Sequence, residues 1–369
     1  MTKLIAYHAL HFVDQLRNDP KYQIWADFYK IFNDPYIGIS DRSKQFKFPI
    51  NTVITDDMAI PEFIQTDITY RDCCLTKAAE LIKKQEELDV PIHIMYSGGI
   101  DSTVVLSSFI DLLGIEQASK RITVVMSKES LDENPHFWYK FIRPHLTVKA
   151  SDTSYNTFKF DKCLYVTGEL NDQLFGSDIQ QDVSLFFGND YLNQQATVEL
   201  LSTYLKDSKK ISNVSALHWA KLLIKNLDTC PKHNNTIWDV LWWYNFCWKW
   251  IYVYYRILLF SRIEGKLDTN WLENNYHPFF AHKQFQLWSM NNTQPKHNGT
   301  WQSYKYTAKK YICEIYGSDE YMYKVKRQSL QNISDMKYRN HSITEDFMLT
   351  NSNNISIESV CQSENDLNE

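Results

Sequence analysis

Between residues 70 and 170, short apolar runs alternate with segments of helical periodicity. The apolar runs lie at 92–95, 121–126 and 162–167. Residues 72–87, 102–113 and 132–141 instead place apolar positions three and four apart, which is typical of helices. Strands that alternate with helices indicate βαβ units, so we predict an α/β fold built on a parallel sheet.

The pattern changes on both sides of this segment. Residues 1–90 contain apolar residues at helical spacing near 22–32 but do not otherwise indicate a fold. Residues 91–180 form the predicted α/β core, and residues 181–330 form a mostly helical C-terminal lobe with helices near 194–205 and 214–227. From residue 331 to 369 the chain is rich in Asn, Ser, Asp and Glu, and we predict a flexible polar tail.

The run from Thr236 to Phe260 is long, apolar and rich in tryptophan. Its length would allow a membrane span. Asp239, Lys249 and Arg256 lie within it, however, and charged side chains are costly inside a bilayer. We therefore interpret the run as a buried helix pair, with a membrane span as the alternative, and we expect no membrane partner.

A pair of adjacent glycines marks the junction between the first apolar run and the helix that follows it. Gly98 and Gly99 allow backbone conformations closed to other residues, and the following helix N-terminus favours an anion. Ser97 and Ser102 add hydroxyl groups. Asp101 would repel a phosphate unless a divalent cation lies between them, and Mg²⁺ is usually held by one or two carboxylates and phosphate oxygens. The local chemistry therefore indicates pyrophosphate with Mg²⁺.

The alternative for this junction is an ordinary strand-to-helix turn with a serine N-cap. Other phosphate-binding loops do not fit, because the Walker pattern needs Gly-Lys-Ser/Thr and the dinucleotide fingerprint needs three spaced glycines. Neither pattern occurs here.

A second group of polar residues follows the run at 162–167. Gly168 and Glu169 come directly after the predicted strand, and Asp172 lies three residues beyond Glu169. Ligands of parallel sheets bind at the carboxyl ends of the strands, so we expect the residues near Ser97, Ser127 and Gly168 to meet at one crevice. Asp172 would then supply the second carboxylate for Mg²⁺. The alternative is that Asp172 caps a helix and Glu169 is solvated.

Composition restricts the location and the partners. The 369 residues carry a net charge of −5 and a sequence pI near 6.1, so there is no overall electrostatic footprint for nucleic acid. The seven cysteines are scattered without a Cys-x-x-Cys pair, which argues against a disulfide framework and a structural zinc site. The first residues do not resemble a signal peptide. We therefore expect a cytoplasmic protein; the composition says nothing about its oligomeric state.

Together the two motifs resemble a known family. Ser-Gly-Gly-x-Asp-Ser at 97–102 resembles the PP-loop of the ATP pyrophosphatase superfamily, which cleaves ATP between its α and β phosphates. Gly-Glu-x-x-Asp-x-Leu-Phe-Gly at 168–176 resembles the synthetase domain of asparagine synthetases and of β-lactam synthetase. That family has glycine where this chain has Leu170 and glutamate where it has Gln173.

The resemblance implies an ATP-dependent amide ligase that adenylates a carboxylate, releases pyrophosphate and transfers the acyl group to ammonia or an amine. Ser97, Gly98, Gly99, Asp101 and Ser102 would bind the phosphates, and Asp101 and Asp172 would hold Mg²⁺. The backbone around Val125 and Ser127 would hold the adenine, and Gly168 would line the rest of the ATP site. Glu169 would orient or deprotonate the amine. The family's catalytic lysine follows a helix like residues 303–316, with Lys326 as the best match and Lys324 as the second.

Two questions stay open in the sequence. Glutamine-dependent relatives carry a cysteine at position 2, where this chain has Thr2, and residues 1–90 are too few for a glutaminase domain. Nitrogen would then come from ammonia, from an amine or from a separate glutaminase. The alternatives to a ligase are a PP-loop enzyme that modifies a nucleobase or nucleic acid, and a non-catalytic nucleotide-binding interaction protein. The departures at Leu170 and Gln173 favour the latter, whereas the retained acidic residues oppose it.

Overall fold

A computed structural model describes residues 2–32, 37–151, 159, 161–176, 180–261, 263–292, 296–324 and 340–361. Its strands are β1 (Leu4–Tyr7), β2 (Ile92–Met95), β3 (Ile122–Met126), β4 (Thr147–Ala150), β5 (Leu164–Thr167), β6 (Gly265–Lys266), β7 (Tyr276–Pro278), β8 (His341–Thr344) and β9 (Met348–Asn351). Its helices are Leu10–Arg17, Gln23–Phe28, Tyr70–Leu88, Ile100–Arg121, Lys128–Glu133, Pro135–Phe137, Arg143–His145, Asn171–Phe175, Gln180–Phe187, Val198–Asp207, Asn213–Leu227, Ile237–Trp248, Trp250–Leu259, Thr269–Asn275, Lys283–Asn291, Tyr306–Tyr316 and Ile357–Val360.

The larger sheet is parallel throughout and has the strand order β4-β3-β2-β5-β7. This confirms the α/β class and the three predicted strands, β2, β3 and β5. The carboxyl-terminal residue of β2, Met95, pairs with Val125 on one side and with Thr167 on the other. The strand order changes direction between β2 and β5, which is where open α/β sheets bind ligands.

The two edge strands were not predicted from the sequence. All four residues of β4 are exposed, so this strand lacks the apolar run that identifies a buried one. Strand β7 is only three residues long and ends at Pro278. Proline has no N–H group and is tolerated at sheet edges. Both strands therefore carry weak sequence signals, although they complete the sheet.

The helix predicted over 102–113 is present, and a second helical segment continues from it to Arg121. Gly114 lies at the kink between the two segments, where its φ of 69° and ψ of 157° are not helical. The N-terminal half, which carries the site residues, is buried from Ser102 to Ile110.

The aromatic run folds as a buried helix pair, as predicted. Every residue of Ile237–Trp248 is buried, and most residues of Trp250–Leu259 are buried as well. Asp239 is used at the N-terminus of the first helix, where its carboxylate accepts hydrogen bonds from the N–H and hydroxyl of Thr236. In the described part of the chain, no helix is long and apolar enough to cross a membrane.

Residues before 90 pack against this helix pair and against the sheet helices. The fully buried Arg42 connects the regions: its guanidinium donates to the Met58 carbonyl and to Gln286 Oε1, both at 2.6 Å. The same group lies over the Trp250 ring, 4.2 Å from its centroid. Arg42 is thus one of several links between the N-terminal region and the helical lobe; the Ser40 N–H, for example, also donates to the Trp248 carbonyl at 3.0 Å.

The expectation of a flexible tail is wrong for residues 340–361. Strands β8 and β9 form a hairpin that pairs with β1 on one side and β6 on the other, giving a second, antiparallel sheet of order β1-β8-β9-β6. Ile343 and Leu349 are fully buried in it. The hairpin was missed because most residues of its two strands are polar and the strands lie in a polar stretch, so no apolar run marks them.

Candidate nucleotide and carboxylate site

The two polar motifs meet at the carboxyl ends of β2 and β5, as the strand pattern predicted. Gly168 lies so close to the first motif that a Cβ atom there would come within 2.9 Å of the Ser102 nitrogen and 3.0 Å of the Asp101 carbonyl carbon. Only glycine permits this approach. The turn after β5 is thereby held against the start of the helix Ile100–Arg121.

The loop at 97–102 is held by its own hydroxyl groups. Ser102 Oγ accepts a hydrogen bond from the Ser97 N–H (3.1 Å) and lies 3.0 Å from Ser97 Oγ. The adjacent glycines differ in their surroundings. A Cβ on Gly98, whose φ is +77°, would lie 2.3 Å from the Ser130 carbonyl oxygen, whereas a Cβ on Gly99 would meet only Ser97 Oγ at 3.4 Å. Gly98 therefore sets the loop's conformation, and Gly99 faces the more open side.

Asp101 and Asp172 converge on a single cation, the ammonium group of Lys305. Lys305 Nζ lies 2.6 and 2.7 Å from the two carboxylate oxygens of Asp101 and 2.7 Å from Asp172 Oδ1. Its side chain is 4% exposed. Burial alone would lower the pKa of Lys305, but the two carboxylates raise it above the ordinary lysine value, so the ammonium stays charged.

The two carboxylates fit Mg²⁺ only if a bound phosphate supplies further ligands to the same ion. Among the described residues, no group of three or more His, Cys, Asp or Glu side chains could hold a metal by itself. Two carboxylates directed at one point are nevertheless the protein ligands that Mg²⁺ uses when phosphate oxygens and water complete its shell. The donor set therefore fits a magnesium ion shared with phosphate, at the position now taken by the Lys305 ammonium.

Lys305 was not predicted as a site residue. It directly precedes the helix Tyr306–Tyr316, whereas the family resemblance implies a lysine after that helix. Its φ of 54° is unusual for a residue other than glycine, and this was not visible in the sequence. The only available signal was its place in a basic, aromatic segment.

Two successive hydrogen bonds, from Tyr70 to Asn171 and from Asn171 to Asp101, hold the Asp101 carboxylate in position. The Tyr70 hydroxyl donates to Asn171 Oδ1 at 3.0 Å, and Asn171 Nδ2 donates to Asp101 Oδ1 at 2.7 Å. Tyr70 and Asn171 are both buried. The helix Tyr70–Leu88 is thereby linked to the acidic pair, a connection that the sequence did not reveal.

Glu169 is an ion-paired residue, so the alternative of a solvated Glu169 is wrong. Its carboxylate accepts a hydrogen bond from Arg256 Nη2, on the helix Trp250–Leu259. Burial raises the pKa of Glu169, and the Arg256 guanidinium opposes that shift. Asp172 likewise is not the helix cap, since Leu170 occupies that position and Asp172 lies in the first turn.

The two departures from the family pattern have structural counterparts. Leu170 is buried and has φ 80°, in the left-handed region where glycine is favoured. Gln173, also buried, donates from Nε2 to Asn245 Oδ1 at 3.1 Å. The neutral amide at position 173 is thus matched by a neutral amide on the aromatic helix.

The predicted adenine residues lie at the end of β3, beside the loop. The Val125 carbonyl accepts a hydrogen bond from the Tyr96 N–H at 2.8 Å, which extends the sheet by one residue. The Ser127 hydroxyl accepts from the Ser130 N–H at 3.4 Å and caps the helix Lys128–Glu133. Both residues are therefore beside the phosphate loop, and contact with adenine stays a prediction.

Of the two lysines considered after residue 316, Lys326 lies outside the described residues. Lys324 reaches the phosphate loop, because its Nζ donates to the Gly98 carbonyl at 3.2 Å and lies 3.8 Å from Glu133 Oε1. Lys324 and Glu133 also line a cavity of about 460 Å³, together with Asn134, Phe137, Tyr321 and Tyr323. Lys324 thus lies between the loop at 97–102 and a space of small-molecule size.

No family model, curated protein or solved structure matches this chain. The chemical interpretation of the site therefore depends on its geometry. That geometry comprises a serine–glycine loop at a helix N-terminus, two carboxylates around one cation, a partly buried Glu–Arg pair and a lysine at the loop.

Proposed function

We propose that this protein is an ATP-dependent amide ligase, resembling the asparagine synthetases, that forms an acyl adenylate and releases pyrophosphate. The observation that carries the proposal is the convergence of Asp101 and Asp172 on one cation, directly beside the loop Ser97–Ser102. A phosphate loop next to paired carboxylates is suited to binding a polyphosphate with its metal.

The nucleotide-binding roles follow from position. Ser97, Gly99 and Ser102 would bind the departing β and γ phosphates, while Val125 and Ser127 would contact the adenine. Asp101 and Asp172 would hold Mg²⁺, which when bound neutralises charge on the phosphate oxygens. Asn171 keeps the Asp101 carboxylate oriented by donating to its Oδ1.

Lys324 and Glu169 would act in the two chemical steps. Lys324, already at the Gly98 carbonyl, would move to the α-phosphate and stabilise charge as a substrate carboxylate attacks it and pyrophosphate leaves. Ammonia or an amine would then attack the acyl carbon, and AMP would leave. Because Arg256 holds Glu169 in place, the carboxylate is suited to orienting the amine by accepting its hydrogen bonds.

A second candidate is a nucleotide-binding protein without turnover. It is favoured by the Lys305 ammonium, which stands in the position that a catalytic metal would need. The strained Leu170 at the turn after β5 also favours it. The partly buried Glu169–Arg256 pair favours the ligase, because withdrawing two charges from most of their solvent has a desolvation cost and nucleotide binding alone does not need the pair.

The deciding experiment measures pyrophosphate and AMP released from Mg·ATP. The protein is supplied with pooled amino acids and other small carboxylic acids, with and without ammonium, and separately with nucleosides and RNA. Asp101→Asn tests the site, and Glu116→Gln, an exposed change on the same helix, is its matched control. Lys324→Ala and Lys326→Ala compare the two lysines.

We expect pyrophosphate with one carboxylate pool, a loss of about 100-fold or more in Asp101→Asn and wild-type rates in Glu116→Gln. Release of ADP instead of AMP would contradict the ligase. Mg·ATP binding without turnover in any pool would support the second candidate. Turnover only with nucleosides or RNA would support a nucleobase-modifying enzyme.

A further inference from the structure

We propose that Lys305 closes the cation position between Asp101 and Asp172 in the nucleotide-free protein, so that a divalent metal enters only together with phosphate. This inference depends on the proposed function only in taking the loop Ser97–Ser102 as the place where phosphate binds. It assigns Lys305 a positioning role, since the residue acts through the two carboxylates.

The Lys305 ammonium already occupies the point to which both carboxylates are directed. It is within 2.7 Å of three carboxylate oxygens, two on Asp101 and one on Asp172. Asp101 Oδ1 also accepts a hydrogen bond from the Asn171 amide. A divalent cation at this point would have to lie beside the ammonium, and because the ammonium is buried, two positive charges at such a distance repel strongly.

An unusual backbone conformation places the Lys305 side chain between the two carboxylates. Lys305 has φ 54° and ψ 35°, a left-handed conformation that costs about 1 kcal/mol for a residue with a side chain. Its carbonyl accepts the first hydrogen bond of the helix Tyr306–Tyr316, from the Lys309 N–H at 2.9 Å. That helix packs on Ile100–Arg121, which carries Asp101. A strained residue held by its surroundings beside a binding loop is typical of a functional position.

Nucleotide binding would exchange the Lys305 ammonium for a metal ion between the two carboxylates. An arriving polyphosphate brings several negative oxygens to the loop, so the ammonium gains a new partner when it leaves the carboxylates. The carboxylates are then available to the metal that accompanies the phosphate. Free metal offers no such partner to the displaced lysine. Lys305 therefore makes metal binding conditional on nucleotide.

The test measures Mn²⁺ binding by electron paramagnetic resonance in the complete, nucleotide-free protein. Lys305→Met removes the ammonium and leaves both carboxylates. Lys309→Met is the matched control: Lys309 is also buried at the start of this helix, but its Nζ donates to the Gln302 carbonyl at 3.2 Å. The double variant Lys305→Met/Asp172→Asn removes one carboxylate as well.

We expect Lys305→Met to bind Mn²⁺ at least about tenfold more tightly than the wild type and Lys309→Met, and the double variant to lose that gain. Equal Mn²⁺ affinity in wild type and Lys305→Met would overturn the proposal. If Lys305→Met is unfolded in chelator, recovery of its circular dichroism and Tm with Mn²⁺ supports the proposal, and failure to recover with Mn²⁺ overturns it.

This measurement uses no ATP turnover, so it separates the two proposals. A protein without ligase activity would still show the effect of Lys305 on Mn²⁺ binding. A ligase whose wild type binds Mn²⁺ tightly without nucleotide would retain the proposed function and refute the role of Lys305.

Discussion

At the scale of single residues, the site depends on unusual backbone conformations as much as on side-chain chemistry. Leu170 and Lys305 both have positive φ angles, and both lie next to the paired carboxylates. The family that this chain resembles has glycine at the position of Leu170. The observed φ of 80° explains that preference, because only glycine adopts this conformation without strain.

We predict that Leu170→Gly is more stable than Leu170→Ala by about 1 kcal/mol, the reverse of the usual order. Both variants lose the buried leucine atoms beyond Cβ, at a cost of about 2–5 kcal/mol. Only glycine also relieves the left-handed backbone. Urea unfolding followed by circular dichroism measures the difference, and an alanine variant as stable as the glycine variant would show that position 170 is unstrained.

At the scale of secondary-structure elements, the strands and helices with an apolar run or a helical periodicity were predictable, and those without such a pattern were not. Strands β2, β3 and β5 are continuous apolar runs, and the helix Tyr70–Leu88 has helical periodicity and a capping box at Thr69. The hairpin of β8 and β9 lacks such a signal. Its stability comes from pairing with β1, which lies more than three hundred residues earlier.

We predict that Ile343→Ala lowers the free energy of unfolding by about 2–5 kcal/mol, because Ile343 is fully buried between β1 and β9. Met348→Ala, on the partially exposed side of the same hairpin, is the matched control and should change stability by about 0.5 kcal/mol or less. Chemical unfolding measures both. Equal, negligible effects would mean that residues 340–361 do not contribute to the folded core.

At the scale of the whole molecule, the second sheet connects the beginning of the chain to its last described residues. The His8 N–H, just after β1, donates to the His341 carbonyl at 3.0 Å. The His8 ring is fully buried and packs edge-on against Phe260, on the far end of the aromatic helix pair. Three distant segments therefore meet at one histidine.

We predict that this histidine makes global stability fall in mild acid. Burial lowers the pKa of His8 to about 3, from about 6.5 in an exposed histidine. Between these values the unfolded chain binds a proton that the folded chain excludes. Stability from His8 is therefore complete above pH 6.5 and declines by about 1.4 kcal/mol per pH unit as the pH falls toward 3.

The measurement compares the pH dependence of urea unfolding in wild type and His8→Gln. Glutamine does not titrate. Below pH 6.5 the free energy of unfolding of the variant should therefore fall less steeply with decreasing pH than that of the wild type, by the contribution of one proton. All other titrating groups are common to both proteins, and the difference between the two curves isolates His8. Identical slopes would show that burial does not lower the pKa of His8 in the folded protein.

Much of the site was predictable because its motifs are local. The glycine pair and Asp101 follow one strand, and Gly168, Glu169 and Asp172 follow another, so the rule that parallel strands end at one edge was enough to bring them together. The same reasoning could not find partners that come from other layers. Arg256 and Asn245 belong to the aromatic helices, and nothing in their local sequence points toward the sheet.

The sequence by itself determined the parallel core, the buried aromatic helix pair and the meeting of two acidic motifs, because each depends on hydrophobic periodicity or on short-range chain geometry. Only the tertiary structure decided that Lys305 lies between Asp101 and Asp172, and that the C-terminal hairpin pairs with β1. These contacts join residues far apart in the chain. They are selected by complementary charge and by shared burial, which emerge only when the elements pack.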